Sequence, residues 1–330
     1  MKNNDQIGLS PFHAGELAAQ DRAGKRDRMA VIGRRAIRPF MPDQHRTFFE
    51  QLPFVVMGSV DEKGQPWASV VSGGTGFIRS PDDRHLGIMA KPHSGDPLAG
   101  ALRLDAPVGV LGIEPSTRRR NRMNAHVTEM DAGWFTLRVD QSFGNCPQYI
   151  QTRDLRFVRP VDETAETTGS VLVTDLDDQM RSFIRSADTL FVASAVRQAA
   201  NPAARGVDVS HRGGLPGFVK AEGNTITVPD YAGNNFFNTI GNFVVNPRAG
   251  LLFPDFETGD VLQLTGTVEL LWSDDPEIAR LENVDRAWRF TLDHGVRTTD
   301  ALPFRANFGE YSPQSLGADT WEAAARRKLC

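Results

Sequence analysis

Short apolar runs separated by turn residues dominate the hydrophobic pattern of this chain. Two of them, Phe54–Val60 (FVVMGSV) and Leu190–Val196 (LFVASAV), each follow a short helical stretch, at His45–Gln51 and Leu176–Ser186. Gly, Pro, Asn and Asp are frequent between the apolar runs. Short strands with turns of this composition are typical of an antiparallel barrel or sandwich.

The same elements recur in the same order in the second half of the chain. Ser69 falls on Ser210 when Ala68–Ile78 is aligned with Val209–Val219, and the glycines and the phenylalanine of the two segments also coincide. Two further pairs of segments keep an offset of about 140 residues, namely 106–111 with 246–251 and 122–127 with 263–268. The repeat predicts two similar β units, although two unrelated β domains with generic turns remain the alternative.

The repeat and the flanking composition predict four regions. They are a partly helical N-terminal extension at residues 1–44, expected to wrap the first β unit, then β units at 45–160 and 170–273, and a C-terminal extension at 274–330. The polar segment Asp162–Ser170 is the predicted linker. Further predicted elements are helices at Gly15–Met29, Asp96–Leu104, Asn234–Val245 and Thr320–Leu329, and a strand at Trp288–Leu292.

Composition narrows the classes of protein that this chain can represent. A length of 330 residues suits about two domains. The formal charge of -4 argues against a general nucleic-acid or membrane-surface binder. Cys146 and Cys330 cannot form a disulfide framework, which favours a reducing, cytoplasmic setting. The chain shows no apolar run of transmembrane length and no signal-peptide pattern at Met1–Ser10.

Several common catalytic motifs are missing from the sequence. There is no Walker loop, no G-x-G-x-x-G after a strand and no G-x-S-x-G elbow. The seven histidines show neither H-E-x-x-H nor paired Cys/His spacing, so no metal site is expected. The acidic pairs Asp177-Asp178 and Asp274-Asp275 lie in polar surface segments and are expected to be caps or turns.

An amide-rich segment near the start of the helix predicted at Asn234–Val245 is the first candidate ligand site. Asn234, Asn235, Asn238 and Thr239 offer donors where free backbone N–H groups and a positive potential favour a phosphate. Helical spacing also places Asn242 on the face of Asn235 and Asn238. The alternative is plain N-capping by Asn234 or Asn235 with solvent exposure of the others.

Arginines supply the second candidate feature. Arg212, next to Ser210 and followed by two glycines at a strand end, can grip an anion, or it can be a surface arginine of a hairpin. In Arg118–Asn124, strand alternation places Arg118, Arg120 and Arg122 on one face and Arg119 on the other. This cluster favours an anion site, with a solvated hairpin or a nucleic-acid contact as alternatives.

The segment Gln141–Ile150 holds the remaining candidates. Tyr149 is one of three tyrosines and can stack on a flat ring. No cation near Cys146 in the sequence would lower its pKa, so a buried structural role is expected for this thiol rather than a nucleophilic one.

Taken together, these segments resemble the flavin mononucleotide (FMN)-binding split barrels of the pyridoxamine 5'-phosphate oxidase-like family, in a two-barrel subgroup. The segments that carry the resemblance cover most of residues 10–315: Pro11–Glu16, Arg118–Asn124, Ser142–Ile150, Ser210–Val219, Pro229–Asn235, Asn246–Phe253 and Leu262–Val268. The resemblance implies a mainly β (α+β) fold of two tandem antiparallel split β-barrels with flanking helices, the second of which binds FMN.

The resemblance also implies which residues hold the flavin. By position, Arg212, Asn235, Asn238 and Gln263 correspond to the residues that hold the flavin phosphate. The Ser-x-Lys pattern that often precedes the Asn-Pro element is missing, which leaves Arg212 as the main cation. Family sites usually lie at a dimer interface, and a tandem chain can build that interface internally. Further residues then face the flavin from the first barrel, namely Arg120, Arg122, Asn145, Cys146 and Tyr149.

The predicted function is that of an FMN-dependent oxidoreductase that acts on a small-molecule substrate or electron donor. The alternative is a non-catalytic flavin carrier or storage module that works with a separate reductase. A homodimer is a further partner that the resemblance leaves open, whereas no nucleic-acid or membrane partner is expected.

Overall fold

Two antiparallel sheets of the same topology form the body of the protein. The computed structural model describes residues 9–161 and 169–327. The N-terminal helices are α1 (Ala14–Arg22) and α2 (Arg26–Ala36). The first half contains α3 (Asp43–Glu50), β1 (Phe54–Val60), β2 (Pro66–Ser72), β3 (Ile78–Arg79), β4 (His85–Ile88), α4 (Pro97–Ala101), β5 (Pro107–Glu114), β6 (Arg119–Asp131), β7 (Trp134–Gly144) and β8 (Arg153–Phe157).

The second half repeats this series. It contains β9 (Ser170–Val173), α5 (Asp178–Ser186), β10 (Thr189–Val196), β11 (Gly206–Gly213), β12 (Lys220–Glu222), β13 (Thr225–Pro229), α6 (Asn238–Val245), β14 (Arg248–Pro254), β15 (Val261–Trp272), β16 (Arg286–Thr298), β17 (Phe304–Phe308), α7 (Pro313–Leu316) and α8 (Trp321–Arg327). None of the helices in the described ranges is long and apolar enough to cross a membrane.

Strand order confirms the predicted mainly β, tandem antiparallel fold. The first sheet runs β2-β1-β5-β6-β7-β4-β3 and the second runs β11-β10-β14-β15-β16-β13-β12, which is the same order element by element. Both paths have open edges, and in the described residues neither sheet closes into a complete barrel. Strands β8 and β17 pair separately, so the two halves also share a two-stranded ribbon.

Three apolar cores hold the sheets together. One fills the first half around Phe48, and a second fills the other half around Trp288. The third lies between the halves and combines residues of both, such as Leu111 and Leu252. Burial of apolar area stabilises a fold by roughly 25 cal/mol per Å², so the third core stabilises the contact between the halves.

Several element boundaries differ from those that the sequence predicts. The helix predicted at Asn234–Val245 begins only at Asn238, because Asn235 and Phe237 adopt positive φ values of 61° and 62° in the turn before it. The helix predicted at Gly15–Met29 is split, since Gly24 has a φ of 63° between α1 and α2. Strand β16 lies beyond residue 273, so the second sheet extends into the predicted C-terminal extension. Cys330 and most of the predicted linker Asp162–Ser170 lie outside the described residues.

The N-terminal extension contacts both halves, since α1 packs on α6 of the second half, whereas Met29 of α2 clusters with Phe143 of β7 and Arg38 pairs with Ser142 in the first half. Helices α1 and α6 meet through glycines, and a Cβ added at Gly15 would lie 2.1 Å from the carbonyl oxygen of Gly241. Hydrogen bonds from His13 to Asn242 and from Asn238 to Glu16 fix the same contact. Backbone approach this close excludes any larger side chain, which explains why Gly15 and Gly241 are glycines.

This glycine contact yields a stability prediction. A Cβ at Gly241 would lie 2.5 Å from both the Cα and the N of Glu16, so Gly241→Ala must push α1 away from α6. We expect a loss of about 1–3 kcal/mol in the free energy of unfolding, the usual cost of overpacking, measured by urea denaturation. Gly100→Ala in α4 is the matched control, because a Cβ there meets no atom within 4 Å. Equal effects of the two substitutions would contradict the prediction.

Candidate functional site

A cleft between the two halves is the candidate functional site. It encloses about 850 Å³ of empty space, a figure that includes the solvent at its open mouth. The second half contributes the end of β11, the turn that precedes α6 and the first turn of α6, whereas the first half contributes β6 and the segment after β7. Pairing of the halves in one chain therefore creates a site that neither half builds alone.

Most of the predicted site residues are brought together in this cleft. The predicted cofactor-binding residues that line it are Ser210, Arg212, Asn234, Asn235, Asn238, Thr239, Arg120, Arg122, Asn145 and Tyr149. Gln263 does not line it; this residue is fully buried elsewhere, where its Nε2 donates to the Ala68 carbonyl oxygen and the Ser69 hydroxyl. The structure thus gathers two separate sequence clusters, and it separates Gln263 from them.

Strand alternation determines the direction in which the two cleft arginines of the first half point. Arg120 and Arg122 in β6 point into the cleft, while Arg119 lies on the opposite face, 4.7 Å from the ring centre of Phe48. Arg118 does not continue this face, because it precedes β6 with a φ of 56° and donates to the Ile150 carbonyl oxygen. The predicted alternation therefore holds within β6 and fails at Arg118, which lies outside the strand.

Arg120 is held in place by neutral acceptors. Its Nε donates to the Cys146 carbonyl oxygen at 2.9 Å, and its Nη1 lies 3.2 Å from Nδ1 of His211. Burial, together with the charges of Arg120, Arg212 and Arg153, keeps the pKa of His211 well below its usual range. A neutral imidazole accepts a hydrogen bond from the guanidinium without adding charge, so Arg120 is oriented but not neutralised.

Cys146 lies beside the same guanidinium. Its Sγ is 3.7 Å from Arg120 Nη2 and donates to Gln148 Oε1 at 3.3 Å. No cation lies near this thiol in the sequence, but Arg120 reaches it from β6. Cys146 is only half-buried and lines the cleft, so the prediction of a buried thiol was wrong.

A second pair of arginines shares one acid. Asp230 Oδ2 accepts a hydrogen bond from Arg286 Nε at 2.7 Å, and its Oδ1 lies 3.5 Å from Arg212 Nη2. Burial lowers the pKa of Arg212, and the charge of Asp230 opposes that shift. The sequence did not single out Arg286, which precedes the strand predicted at Trp288–Leu292; its pairing with Asp230 is a long-range contact without a local sequence signal.

Arg122 is the most deeply buried of the four arginines that line the cleft. It forms an ion pair with Asp208 of β11, and its Nη1 donates to Asn238 Oδ1 at 3.3 Å. Burial first, and then the charges of Arg212 and Arg120, lower the pKa of Arg122 to about 9. The group remains a cation at neutral pH, and its ion pair with Asp208 joins the two halves.

Positive charge exceeds negative charge in this cleft. Among the described residues, four arginines line it, and Arg120 forms no ion pair with an acid. Within residues 9–161 and 169–327, Nε of Arg122, Nε of Arg212 and Oδ1 of Asn145 are buried without a hydrogen-bond partner. Buried polar groups are normally paired, and here the two Nε atoms remain free as donors and Asn145 Oδ1 as an acceptor.

Hydroxyl and amide groups complete the wall formed by the second half. Thr239 Oγ1 donates to Ser210 Oγ at 3.1 Å, which places two hydroxyls at the start of α6. Asn234 Oδ1 accepts from Phe236 N at 3.1 Å, and Asn235 Nδ2 donates to the Gly233 carbonyl oxygen at 3.2 Å. These short-range bonds hold the turn, so the asparagines shape the cleft and do not cap the helix.

The asparagines of α6 itself belong to a buried network behind the cleft. Asn242 Nδ2 donates to Ser194 Oγ at 2.9 Å, and its Oδ1 lies 2.8 Å from His13 Nε2. Asn238 bridges Arg122 and Glu16. The predicted common face of Asn235, Asn238 and Asn242 is therefore only partly real, because Asn235 precedes the helix and Asn242 bonds inward.

Glu16 gives this network a pH dependence. Burial raises the pKa of Glu16 from 4.5 to about 8, although hydrogen bonds from His13 and Asn238 and the charge of Arg122 favour the carboxylate. Between about pH 5 and 8 the folded chain then holds a proton that the unfolded chain lacks. The free energy of unfolding should therefore fall as the pH rises, by up to about 1.4 kcal/mol per unit from this group, and level off above about pH 8.

Glu16→Gln removes the titrating carboxyl group and keeps the length of the side chain. We expect the difference in unfolding free energy between wild type and variant to change with pH over about pH 5–8, in favour of the variant at the higher end. Urea denaturation at several pH values measures it. Parallel pH profiles of the two proteins would show that Glu16 is ionised throughout.

An aromatic pair forms the rim of the cleft. The rings of Tyr149 and Tyr231 stack with centroids 5.2 Å apart and an interplanar angle of 22°. Tyr149 has a φ of 64°, and its hydroxyl donates to the Ala232 carbonyl oxygen at 3.1 Å. The pair provides a flat apolar surface across the two halves, next to the positively charged interior.

The sequence of this chain matches a known protein family over both halves. A family model described as pyridoxamine 5'-phosphate oxidase matches the chain twice, over residues 41–163 and 176–300. No curated protein matches the chain. The described residues hold no group of three or more His, Cys, Asp or Glu placed to bind a metal ion.

Solved structures with a similar fold are remote in sequence. A provisionally assigned pyridoxamine 5'-phosphate oxidase from Lactobacillus delbrueckii is 16% identical, covers 32% of this chain and 95% of its own, and has a TM-score of 0.26. A pyridoxinephosphate oxidase family protein from Clostridium acetobutylicum is 16% identical, with 39% and 92% covered and a TM-score of 0.27. The heme storage protein HutZ from Vibrio cholerae is 14% identical, with 38% and 94% covered and a TM-score of 0.28.

Proposed function

Because this chain belongs to the pyridoxamine 5'-phosphate oxidase family, with two copies of the family domain in tandem, we propose that the cleft between its halves binds FMN. We propose further that the protein is an FMN-dependent oxidoreductase acting on a small molecule. The observation that carries the proposal is the surplus of arginine charge in the cleft. A phosphate monoester is a ligand that such a cluster favours.

The chain's own groups fit FMN at both ends. Arg120 and Arg212 offer guanidinium donors to a phosphate, and the hydroxyls of Ser210 and Thr239 lie on the same wall. The unpartnered Oδ1 of Asn145 is an acceptor suited to a ring N–H. When bound, FMN would supply the hydride or electron transfer chemistry.

The cleft residues would then bind and orient without transferring protons themselves. Neutral His211 fixes the direction of the Arg120 guanidinium. Asp230 pairs with both Arg212 and Arg286 and so fixes the positions of their guanidinium groups. The Tyr149–Tyr231 pair offers a flat surface and narrows the access of water from the rim.

Binding is tested on the purified full chain. The proposal predicts a flavin absorption spectrum and, after denaturation, release of a compound with the mass of FMN; stripped protein should rebind FMN with quenching of its fluorescence. A released heme or deazaflavin, or a folded protein that does not bind FMN, would contradict it.

The oxidoreductase part needs a separate experiment. Reduced, FMN-loaded protein is mixed anaerobically with small-molecule acceptors in a stopped-flow instrument. Reoxidation that is faster than that of free reduced FMN and saturates with acceptor concentration supports an enzyme. Reoxidation no faster than that of free reduced FMN with every acceptor would contradict an enzyme and favour a flavin carrier.

A further inference from the structure

Register shows that strands β1, β2, β5 and β6 match strands β10, β11, β14 and β15 residue by residue. Leu111 pairs with Val56 on one side and with Arg122 on the other, and Leu252 pairs in the same way with Phe191 and Gln263. Arg122 and Gln263 therefore occupy the same position in their respective sheets. By the same comparison of β2 with β11, Ser69 corresponds to Ser210.

Equivalent residues of the two halves also make reciprocal contacts, each with the opposite half. Arg122 of the first half reaches Asn238 in α6 of the second, and Gln263 of the second half reaches Ser69 and Asp96 of the first. Asp96 immediately precedes α4, as Phe237 precedes α6. The halves thus have an approximate twofold relation, and the cleft has a counterpart position on the other side of their interface, built from Ser69, His93, Asp96 and Gln263.

The backbone packing repeats this exchange. A Cβ at Gly109 in β5 would lie 2.8 Å from the Val207 carbonyl oxygen of the second half, and one at Gly250 in β14 would lie 2.5 Å from the Pro66 carbonyl oxygen of the first. The counterpart position is therefore a structural equivalent of the cleft, and its side chains can be compared with those of the cleft one by one.

Charge distinguishes the two positions. Three of the four cleft arginines, Arg120, Arg122 and Arg212, correspond to Val261, Gln263 and Val71 in the other half, which are all uncharged. The residue before the helix differs in the opposite direction of charge. It is the neutral Phe237 before α6 and the acidic Asp96 before α4. An anion-binding cleft on one side thus faces a site without arginine on the other.

Asp96 itself takes up the donors of the counterpart position. Its Oδ1 accepts from Ser69 Oγ at 2.6 Å and from Leu98 N at 2.8 Å, and its Oδ2 accepts from Gln263 Nε2 at 3.2 Å, with His93 Nε2 at 3.3 Å. Only 3% of Asp96 is exposed, and Ser69 and Gln263 are fully buried. No donor of this group remains for a ligand's anion.

We infer that each chain binds one phosphate-bearing flavin, in the cleft alone, and that the carboxylate of Asp96 replaces the ligand's anion at the counterpart position. The inference rests on the proposed FMN binding and adds the stoichiometry and the residue that sets it. It also assigns Gln263 to the closed position, which explains why this residue does not line the cleft.

A matched pair of serine variants tests this asymmetry. FMN is titrated calorimetrically into the stripped full chain, its Ser210→Ala variant and its Ser69→Ala variant. We expect one FMN per chain in wild type, roughly 2- to 10-fold weaker binding after Ser210→Ala, as for loss of one hydrogen bond, and unchanged affinity and stoichiometry after Ser69→Ala.

The outcomes separate this inference from the proposal on which it rests. A stoichiometry of two FMN per chain would overturn the inference while FMN binding itself stands. The same holds if Ser69→Ala weakens FMN binding and Ser210→Ala leaves it unchanged. Absence of FMN binding by the folded wild-type chain would overturn the proposed function, and the inference with it. Circular dichroism confirms that each variant is folded.

Discussion

Replacement of Arg122 by alanine is expected to lower the free energy of unfolding by about 3–5 kcal/mol, the usual result of breaking a buried ion pair. Arg122 and Asp208 are both at least 95% buried, and they come from different halves. Alanine would leave the Asp208 carboxylate without its cation and remove the donor to Asn238. Chemical denaturation monitored by circular dichroism measures the effect.

Two further variants make this prediction specific. Arg326→Ala removes an exposed arginine whose ion pair with Glu322 spans 3.8 Å, and it should cost less than about 1 kcal/mol. The double variant Arg122→Ala/Asp208→Ala should lose less stability than the sum of the two single losses, because the unpaired carboxylate is gone. Additive losses, or a loss below about 1 kcal/mol for Arg122→Ala, would show that the pair is not coupled.

Arg120→Ala is expected to weaken FMN binding by about 1.5–3 kcal/mol, the range for a hydrogen bond to a charged group. This arginine has no acidic partner among the described residues, and its present acceptors are the Cys146 carbonyl and neutral His211. Its removal therefore leaves no carboxylate unpaired, so the free energy of unfolding of the stripped protein should change far less than in Arg122→Ala. Fluorescence titration with FMN measures the affinity.

Arg212→Ala and Arg120→Lys complete this test. Arg212→Ala should weaken binding by about 1–3 kcal/mol, since Arg286 still neutralises Asp230. Arg120→Lys should recover only part of the affinity, because an ammonium group lacks the two-pronged geometry of a guanidinium. Unchanged affinity in both alanine variants would place the phosphate away from these arginines.

Local sequence signals predicted the components of the cleft well. Strand alternation placed Arg120 and Arg122 on one face, and the amide-rich turn beside α6 pointed to Asn234, Asn235 and Thr239. These predictions depend on periodicities of one strand and one turn, which neighbouring residues determine. The tandem repeat was visible for the same reason, because each half encodes its strands and turns locally.

Partners that come from distant segments could not be predicted in this way. Asp230 with Arg286, Arg120 with His211, and the stacked Tyr149 and Tyr231 all join separate elements. The same holds for the contact of α1 with α6, which depends on the close approach of two glycines.

Gln263 shows where the family resemblance misleads. The resemblance assigned Gln263 to the same flavin as Arg122, although the two residues are register equivalents in different sheets. In a pair of halves with an approximate twofold relation, equivalent residues lie at two equivalent positions on opposite sides of the interface. Residues that match by repeat therefore belong to different sites, whereas the residues of one site come from unlike parts of the two halves.

The most direct test of the central claim is a crystal structure of the full chain with FMN. We expect the FMN phosphate within hydrogen-bonding distance of the Arg120 and Arg212 guanidinium groups, in the cleft between the halves, and an Asp96 carboxylate still bonded to Ser69 and Gln263. FMN bound at the counterpart position, or outside the cleft altogether, would contradict it.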